Sequence, residues 1–94
     1  MTTVTIIEDD PVIREWIANT IKGAEGFSCV GMYGECESGV AGVLADRPDV
    51  VLMDIVLPGK SGIEGTRKIK EQASEVDVVV LTRCETAQIL TRIM

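Results

Sequence analysis

The chain has 94 residues, which is enough for one compact domain and too few for two. Hydrophobic residues make up 46% of it, and 15 Asp and Glu against 9 Lys and Arg give a net charge of −6. Because an acidic surface repels phosphates, we expect no direct binding to nucleic acid or to anionic membranes.

Missing residue types exclude several chemistries. The sequence has no His, which excludes Ser-His and Cys-His catalysis and removes the commonest metal ligand. The three cysteines (Cys29, Cys36 and Cys84) are widely spaced and predict neither a disulfide framework nor a zinc site. No apolar run approaches the roughly 18 residues of a membrane span, and no signal-like segment opens the chain. We therefore expect a cytoplasmic protein.

The first elements in chain order are a strand and a helix. Residues 4–7 form a short β-branched run that is typical of a buried strand. Asp10 followed by Pro11 predicts a helix start with Asp10 as the N-cap. The apolar stripe expected along this helix consists of Ile13, Trp16, Ile17 and Ile21.

A second strand and a second helix follow. Residues 27–32 predict the strand, and residues 35–45 predict the helix, with Val40, Val43 and Leu44 as its inner face. Two glycines inside this helix, Gly39 and Gly42, lower its intrinsic stability.

The remaining elements continue the alternation. Residues 50–53 are apolar without a break, as expected for a strand buried on both faces. A third helix is predicted from about residue 63 to residue 72, a fourth strand over residues 76–81, and residues 85–94 could begin a fourth helix. Such alternation predicts an α/β fold, with a parallel sheet, right-handed crossovers and helices on both faces.

Acidic residues follow two of these strands. Glu8, Asp9 and Asp10 follow the first strand, and Asp54 ends the third within an apolar segment. In parallel sheets, functional groups collect at the carboxyl ends of the strands. The first three acids could simply complement the dipole of the next helix, and Asp54 could cap the following loop through backbone N–H groups.

Carboxylates that converge on one pocket need a neutralising cation, and oxygen ligands without His or Cys favour Mg²⁺. Asp54 and Asp9 could bind the ion directly, and Glu8 through water, together with one backbone carbonyl. A carboxylate can also act as a nucleophile and form an acyl phosphate, which makes Asp54 a candidate phosphoryl acceptor. Thr82, at the end of the fourth strand, could donate its hydroxyl to a phosphoryl oxygen or be only a β-branched strand end.

Taken together, these segments resemble the receiver domain of bacterial two-component response regulators from Val4 to Thr82. The matching segments are Ile6-Ile7-Glu8-Asp9-Asp10-Pro11-Val12-Ile13-Arg14, Arg47-Pro48-Asp49-Val50-Val51-Leu52-Met53-Asp54-Ile55-Val56-Leu57-Pro58-Gly59, Lys60-Ser61-Gly62-Ile63-Glu64 and Val78-Val79-Val80-Leu81-Thr82.

The resemblance implies a flavodoxin-like sheet of order 2-1-3-4-5 that takes a phosphoryl group from a sensor histidine kinase, with Mg²⁺ as the cofactor. It makes Asp54 the phosphoacceptor, Glu8 and Asp9 the acidic pair at the metal, the Val56 backbone carbonyl a further ligand and Thr82 the switch hydroxyl. The pattern after Ser61 is most like regulators whose output domain is a DNA-binding helix-turn-helix.

Two departures from the family affect these expectations. We expect its fifth strand and fifth helix to be missing, which leaves the order 2-1-3-4, a receiver-like domain over residues 1–82 and an atypical tail over residues 83–94. The Lys that usually ends strand five has no counterpart, so phosphoryl transfer should be weak. An open strand-four edge should promote self-association through that edge or through a helix-four face.

Three competing interpretations remain. The chain could be a receiver remnant that cannot be phosphorylated and acts only as an interaction module. A phosphatase of the haloacid-dehalogenase type would need an Asp two residues after the nucleophile, where this chain has Val56. A flavin-binding protein would need a phosphate loop after strand one, where acids stand instead. We predict a signalling domain that assists its own phosphorylation and has no separate substrate turnover.

Overall fold

The computed structural model describes residues 1–54, 62–82 and 89–93, with side chains described only for residues 1–54 and 62–81. Strands and helices alternate as predicted as far as β4. In chain order they are β1 (Thr2–Ile7), α1 (Pro11–Gly23), β2 (Phe27–Tyr33), α2 (Cys36–Asp46), β3 (Val50–Asp54), α3 (Gly62–Gln72), β4 (Asp77–Thr82) and β5 (Ile89–Ile93). None of the helices in these ranges is long and apolar enough to cross a membrane.

The sheet has the strand order β2-β1-β3-β4-β5, and its first four strands are parallel. This confirms the predicted order 2-1-3-4. Strand β1 lies between β2 and β3, with Ile7 opposite Met53 in the β1–β3 pairing. The carboxyl ends of β1 and β3 therefore meet at the same edge of the sheet, where the acidic residues follow.

The last strand corrects one expectation. The sequence allows a fourth helix to begin within residues 85–94, but residues 89–93 form β5, which pairs antiparallel with β4 from Thr82 opposite Ile89 to Val78 opposite Ile93. An antiparallel neighbour needs only a short connection, whereas another parallel strand would need a crossover of about a dozen residues or more. Pairing also satisfies the backbone groups that an edge strand leaves open.

Strand β4 is consequently not an edge of the sheet, and the predicted open strand-four edge is wrong. The self-association that we based on it stays a prediction without that support. The helix-four face, in so far as it belongs to residues 83–88, lies outside the described residues.

Helix α1 begins as its sequence predicts. The Oδ1 atom of Asp10 accepts hydrogen bonds from the backbone N–H groups of Val12 at 2.8 Å and Ile13 at 3.2 Å. The predicted apolar stripe was wrong at Trp16, whose side chain is 68% exposed. The buried face centres on Ile17 and Ala18, and Trp16 lies about 100° and 200° around the helix from these residues.

Helix α2 packs closely on β1 because residue 39 is a glycine. A Cβ atom at Gly39 would lie 2.5 Å from Cδ1 of Ile7, well inside van der Waals contact. Ile7 and Val43 belong to the larger core, between the sheet and helices α2 and α3, while Ile6 and Ile17 belong to a smaller core under α1. The glycine that weakens the helix therefore allows the packing that holds β1 in place.

Candidate metal and phosphoacceptor site

Three carboxylates meet at the carboxyl ends of β1 and β3. Glu8, Asp9 and Asp54 each contribute a carboxylate oxygen, and these three atoms lie within 4.8 Å of one another. Glu8 and Asp9 follow β1 directly, and Asp54 is the last residue of β3. The structure thus brings together the three acids that the sequence singled out as metal ligands.

The three acids differ in their exposure to water. The side chains of Glu8 and Asp54 are only 2% and 1% exposed, whereas Asp9 is exposed. A buried carboxylate loses much of its hydration and gains from a nearby cation or donor. The cluster therefore has a dry inner part and one side open to solvent, through which an ion could enter.

The backbone around Glu8 is fixed on both sides. Its N–H group donates to the carbonyl of Tyr33 at 2.9 Å, and its own carbonyl accepts a hydrogen bond from Nη1 of Arg14 at 2.8 Å. The Oε2 atom of Glu8 accepts a hydrogen bond from the backbone N–H of Asp10 at 3.0 Å. The direction in which the Glu8 carboxylate points is set by these contacts.

Burial raises the pKa of Glu8 from its ordinary value of 4.5 to about 7. The hydrogen bond from the Asp10 backbone N–H opposes this rise, while Asp9 and the charge of Asp54 add to the rise in the pKa. Proximity of several carboxylates penalises ionisation of each of them. A cation between them would reverse that penalty, so the site favours either a proton or a metal ion near neutral pH.

The donor set fits Mg²⁺. All three side chains offer oxygen atoms, which hard divalent ions prefer. Two ligands of one Mg²⁺, each roughly 2.1 Å from the ion, can be at most about 4.2 Å apart, and a ligand acting through water can be farther away. Since the three oxygens already lie within 4.8 Å of one another, small side-chain rotations would be enough to bind one ion.

The other predicted site residues are placed only in part. Leu81 pairs with Asp54, so the backbone of Thr82 continues β4 beside the phosphoacceptor candidate. The side chain of Thr82 and the whole of Val56 lie outside the described residues. Asp10 is not in the acidic group and instead caps α1.

Arg14 was missed by the sequence analysis, although it contacts the backbone of a candidate metal ligand. One signal was available in the sequence. A basic residue in the first turns of a helix opposes the helix dipole, so its presence there calls for another explanation. The spacing of six residues between Glu8 and Arg14 does not by itself predict that the two residues are in contact.

Known proteins similar to this chain share its fold and up to about a third of its sequence. The family model for the response regulator receiver domain matches residues 4–94, which takes in the tail that the sequence analysis set apart. The response regulator GacA of Pseudomonas aeruginosa is 35% identical over 94 residues, which are 100% of this chain and 44% of that protein. The response regulator UvrY of Escherichia coli O157:H7 is 34% identical over 82 residues, which are 87% of this chain and 38% of that protein.

Solved structures agree on the fold. A LuxR-family two-component response regulator from Aurantimonas sp. SI85-9A1 has a TM-score of 0.83 and 27% identity, covering 90% of this chain and 61% of that one. The response regulator TrrA of Thermotoga maritima, solved in complex with Mg²⁺-BeF, has a TM-score of 0.82 and 24% identity, covering 92% and 73%. The chain spans less than half the length of the curated relatives. Its four parallel strands and its matched sequence show that it belongs to the response regulator receiver domain family.

Proposed function

We propose that this domain is phosphorylated on Asp54 by a sensor histidine kinase, with Mg²⁺ held by Glu8, Asp9 and Asp54. The observation that carries the proposal is the convergence of the three carboxylates within 4.8 Å, two of them buried. Membership of the receiver family supports the same role, because phosphorelay signalling is what receiver domains do.

The chemistry follows from the position of Asp54. One carboxylate oxygen forms a bond to phosphorus, the bond between phosphorus and the donor's leaving atom breaks, and the leaving group takes up a proton. When bound, Mg²⁺ offsets the negative charge shared by the acids and the phosphoryl group. Burial keeps Asp54 largely free of competing water, and Glu8 and Asp9 would hold the ion beside it. In this proposal the Val56 carbonyl completes the ligands and the Thr82 hydroxyl donates to a phosphoryl oxygen.

The surface beside the acids supports docking of a protein partner. Val12 is 76% exposed and Trp16 is 68% exposed, one helical turn apart on α1, which begins directly after Asp10. Exposed large apolar side chains next to a reactive site are typical of an interaction surface. We assign this surface to the kinase, which would place the domain in the cytoplasm.

A substitution on this surface separates docking from chemistry. Trp16→Ala should lower phosphorylation by the kinase by about fivefold or more, since truncating an aromatic anchor costs over about 1 kcal/mol in binding. Labelling by acetyl phosphate, a small donor that needs no docking, should be unchanged. Phe27→Ser is the matched control, because Phe27 is an exposed aromatic at the amino end of β2, away from the acids. Equal loss with both donors would show that Trp16 affects the site itself.

We place the response to phosphorylation in an output domain outside the receiver. Similarity to GacA and UvrY supports membership of a transcriptional regulator, and we propose a DNA-binding output domain that this stretch of chain does not include. On this proposal the acidic receiver itself makes no contact with DNA.

One experiment tests the phosphoacceptor role against that of an interaction module without phosphorylation. The chain is incubated with acetyl phosphate and Mg²⁺, and its mass is measured. A gain of one phosphoryl group that requires Mg²⁺ and is lost in Asp54→Asn supports the proposal. Asp10→Asn is the matched control, since Asp10 lies outside the acidic group and Asn caps a helix as well as Asp does. No gain at all, or a gain retained in Asp54→Asn, would overturn the proposal.

A further inference from the structure

Arg14 occupies an unfavourable place for a cation. It is the fourth residue of α1, close to the positive end of the helix dipole. Among the described residues, Arg14 forms no ion pair that would offset this cost. The salt bridge in that part of the chain joins Arg47 to Glu75. Neither helix stability nor a surface ion pair therefore explains an arginine at this position.

The guanidinium instead holds the backbone of the acidic segment. Its Nη1 atom donates to the carbonyl of Glu8 at 2.8 Å in a partly buried position, reaching back six residues along the chain. Side chains on a helix lean towards its N-terminus, so the reach is natural for a long side chain in the first turns. With its N–H group bonded to Tyr33, Glu8 has both of its backbone polar groups fixed.

The residue after β2 leaves room for this contact. A Cβ atom at Gly34 would come within 3.0 Å of Nη1 of Arg14, closer than nearly all observed contacts of this kind. The guanidinium thus lies between the carbonyl of Glu8 and the backbone of Gly34. Two separate segments of the chain accommodate the same side chain.

We propose that Arg14 is a positioning residue of the metal site, an inference that rests on the proposed function. The Glu8 carbonyl belongs to the peptide group that joins Glu8 to Asp9. By holding this carbonyl, Arg14 fixes the orientation of the peptide group and thereby the starting positions of both side chains. Groups that orient metal ligands without touching the metal commonly change metal affinity by 10–100-fold when they are removed.

The direction in which Mg²⁺ affinity changes when Arg14 is removed distinguishes a positioning role from an effect of its positive charge alone. If Arg14 acted only through its positive charge, its removal would strengthen the binding of a cation to the neighbouring acids. If it positions the ligands, its removal weakens the binding. Arg14→Met removes the donors and keeps most of the apolar stem, whereas Arg14→Lys keeps the charge and one donor group.

The test measures Mg²⁺ affinity from the rise in thermal stability with Mg²⁺ concentration, which needs neither a kinase nor phosphorylation. Arg14→Met should bind Mg²⁺ about tenfold more weakly, and Arg14→Lys should recover part of the loss. Gly34→Ala should weaken the binding in the same direction but by less, since its Cβ would stand 3.0 Å from Nη1 and shift the guanidinium by a few tenths of an ångström. Lys22→Met is the matched control, because it removes an exposed cation from the last turn of the same helix.

Each outcome decides the question. Unchanged or tighter Mg²⁺ binding in Arg14→Met would overturn the inference, and so would a lower melting temperature with the affinity unchanged. Should Arg14→Met fail to fold, Arg14→Lys and Gly34→Ala carry the same comparison. If the native chain itself gains no stability from Mg²⁺, the proposed metal site fails along with the inference. If the native chain binds Mg²⁺ and Arg14→Met binds it equally well, only the role of Arg14 is contradicted and the metal site stands.

Discussion

Replacing Glu8 by Gln should remove a pH dependence of stability that the acidic cluster creates. Because burial raises the pKa of Glu8 from 4.5 to about 7, the folded protein holds a proton that the unfolded chain releases between these values. The free energy of unfolding without metal must then fall as the pH rises from about 4.5 to about 7. The contribution of Glu8 is fully present below the lower pH and is lost above the higher one.

The size of this effect can be worked out from the shift. A rise from 4.5 to about 7 corresponds to at most roughly 3.4 kcal/mol, at about 1.36 kcal/mol for each pH unit. The cluster opens to water on the side of the exposed Asp9, and solvent there screens part of the interaction. We therefore expect about 1–2 kcal/mol, which shifts the melting temperature of a domain this size by roughly 4–16 °C.

Thermal or urea unfolding in the presence of a chelator, between about pH 5 and pH 7.5, measures the change. The chain has no His, so no imidazole titrates in this window and obscures the signal. The native protein should lose stability across it, and Glu8→Gln, which keeps an acceptor for the Asp10 N–H, should be nearly flat and more stable at the upper end. Saturating Mg²⁺ should reverse the native trend, because the ion binds the ionised acids. A flat native profile, or an equal slope in Glu8→Gln, would refute the assignment.

Three further substitutions test the other parts of the structure. Asp54→Asn should abolish labelling by acetyl phosphate and most of the stability gained from Mg²⁺, as judged by mass spectrometry and melting curves. Asp10→Ala should lower the free energy of unfolding by about 1 kcal/mol through the lost N-cap while leaving Asp54 open to labelling; a change below about 0.3 kcal/mol would contradict that role. Gly39→Ala should destabilise the fold by about 1–3 kcal/mol, because its Cβ would press on Ile7, whereas Gly23→Ala, with no atom within 4 Å, should be tolerated; equal effects at the two glycines would contradict the close packing.

Features with a local cause could be predicted from the sequence. The start of α1 depends on Asp10 and on the residues just after it, so the pattern was enough. The proximity of Asp54 to the acids after β1 was also predictable, because the resemblance to receiver domains implied a strand order that places the carboxyl ends of β1 and β3 side by side, as the pairing of Ile7 with Met53 bears out. The two apolar runs locate the ends of the strands, and functional groups collect at the carboxyl ends of parallel strands. The proximity of the acids could therefore be inferred without any measured distance.

Features that depend on contacts between distant segments could not be predicted. The helical period of apolar residues in α1 predicts an apolar stripe, but it does not show how much of that stripe the sheet covers. Trp16 belongs to the predicted stripe and is exposed in the structure. Residues 89–93 form a short apolar segment that fits a helix or a strand, and the unpaired groups of β4 decide for the strand. The contact of Arg14 with the Glu8 carbonyl depends on the exact path of the segment between β1 and α1.

The acidic cluster links the occupancy of the site to the stability of the fold. Placing Glu8 and Asp54 out of water beside a third acid costs free energy in the absence of a cation, and the raised pKa of Glu8 is the sign of that cost. The same repulsion would become affinity once an ion enters, since a cation attracts all three carboxylates at once. On the proposal made for Arg14, its contact with the Glu8 carbonyl helps to hold the acids together before an ion arrives. Binding of an ion to the folded state would therefore raise the free energy of unfolding, so the stability of the domain measures how fully the site is occupied.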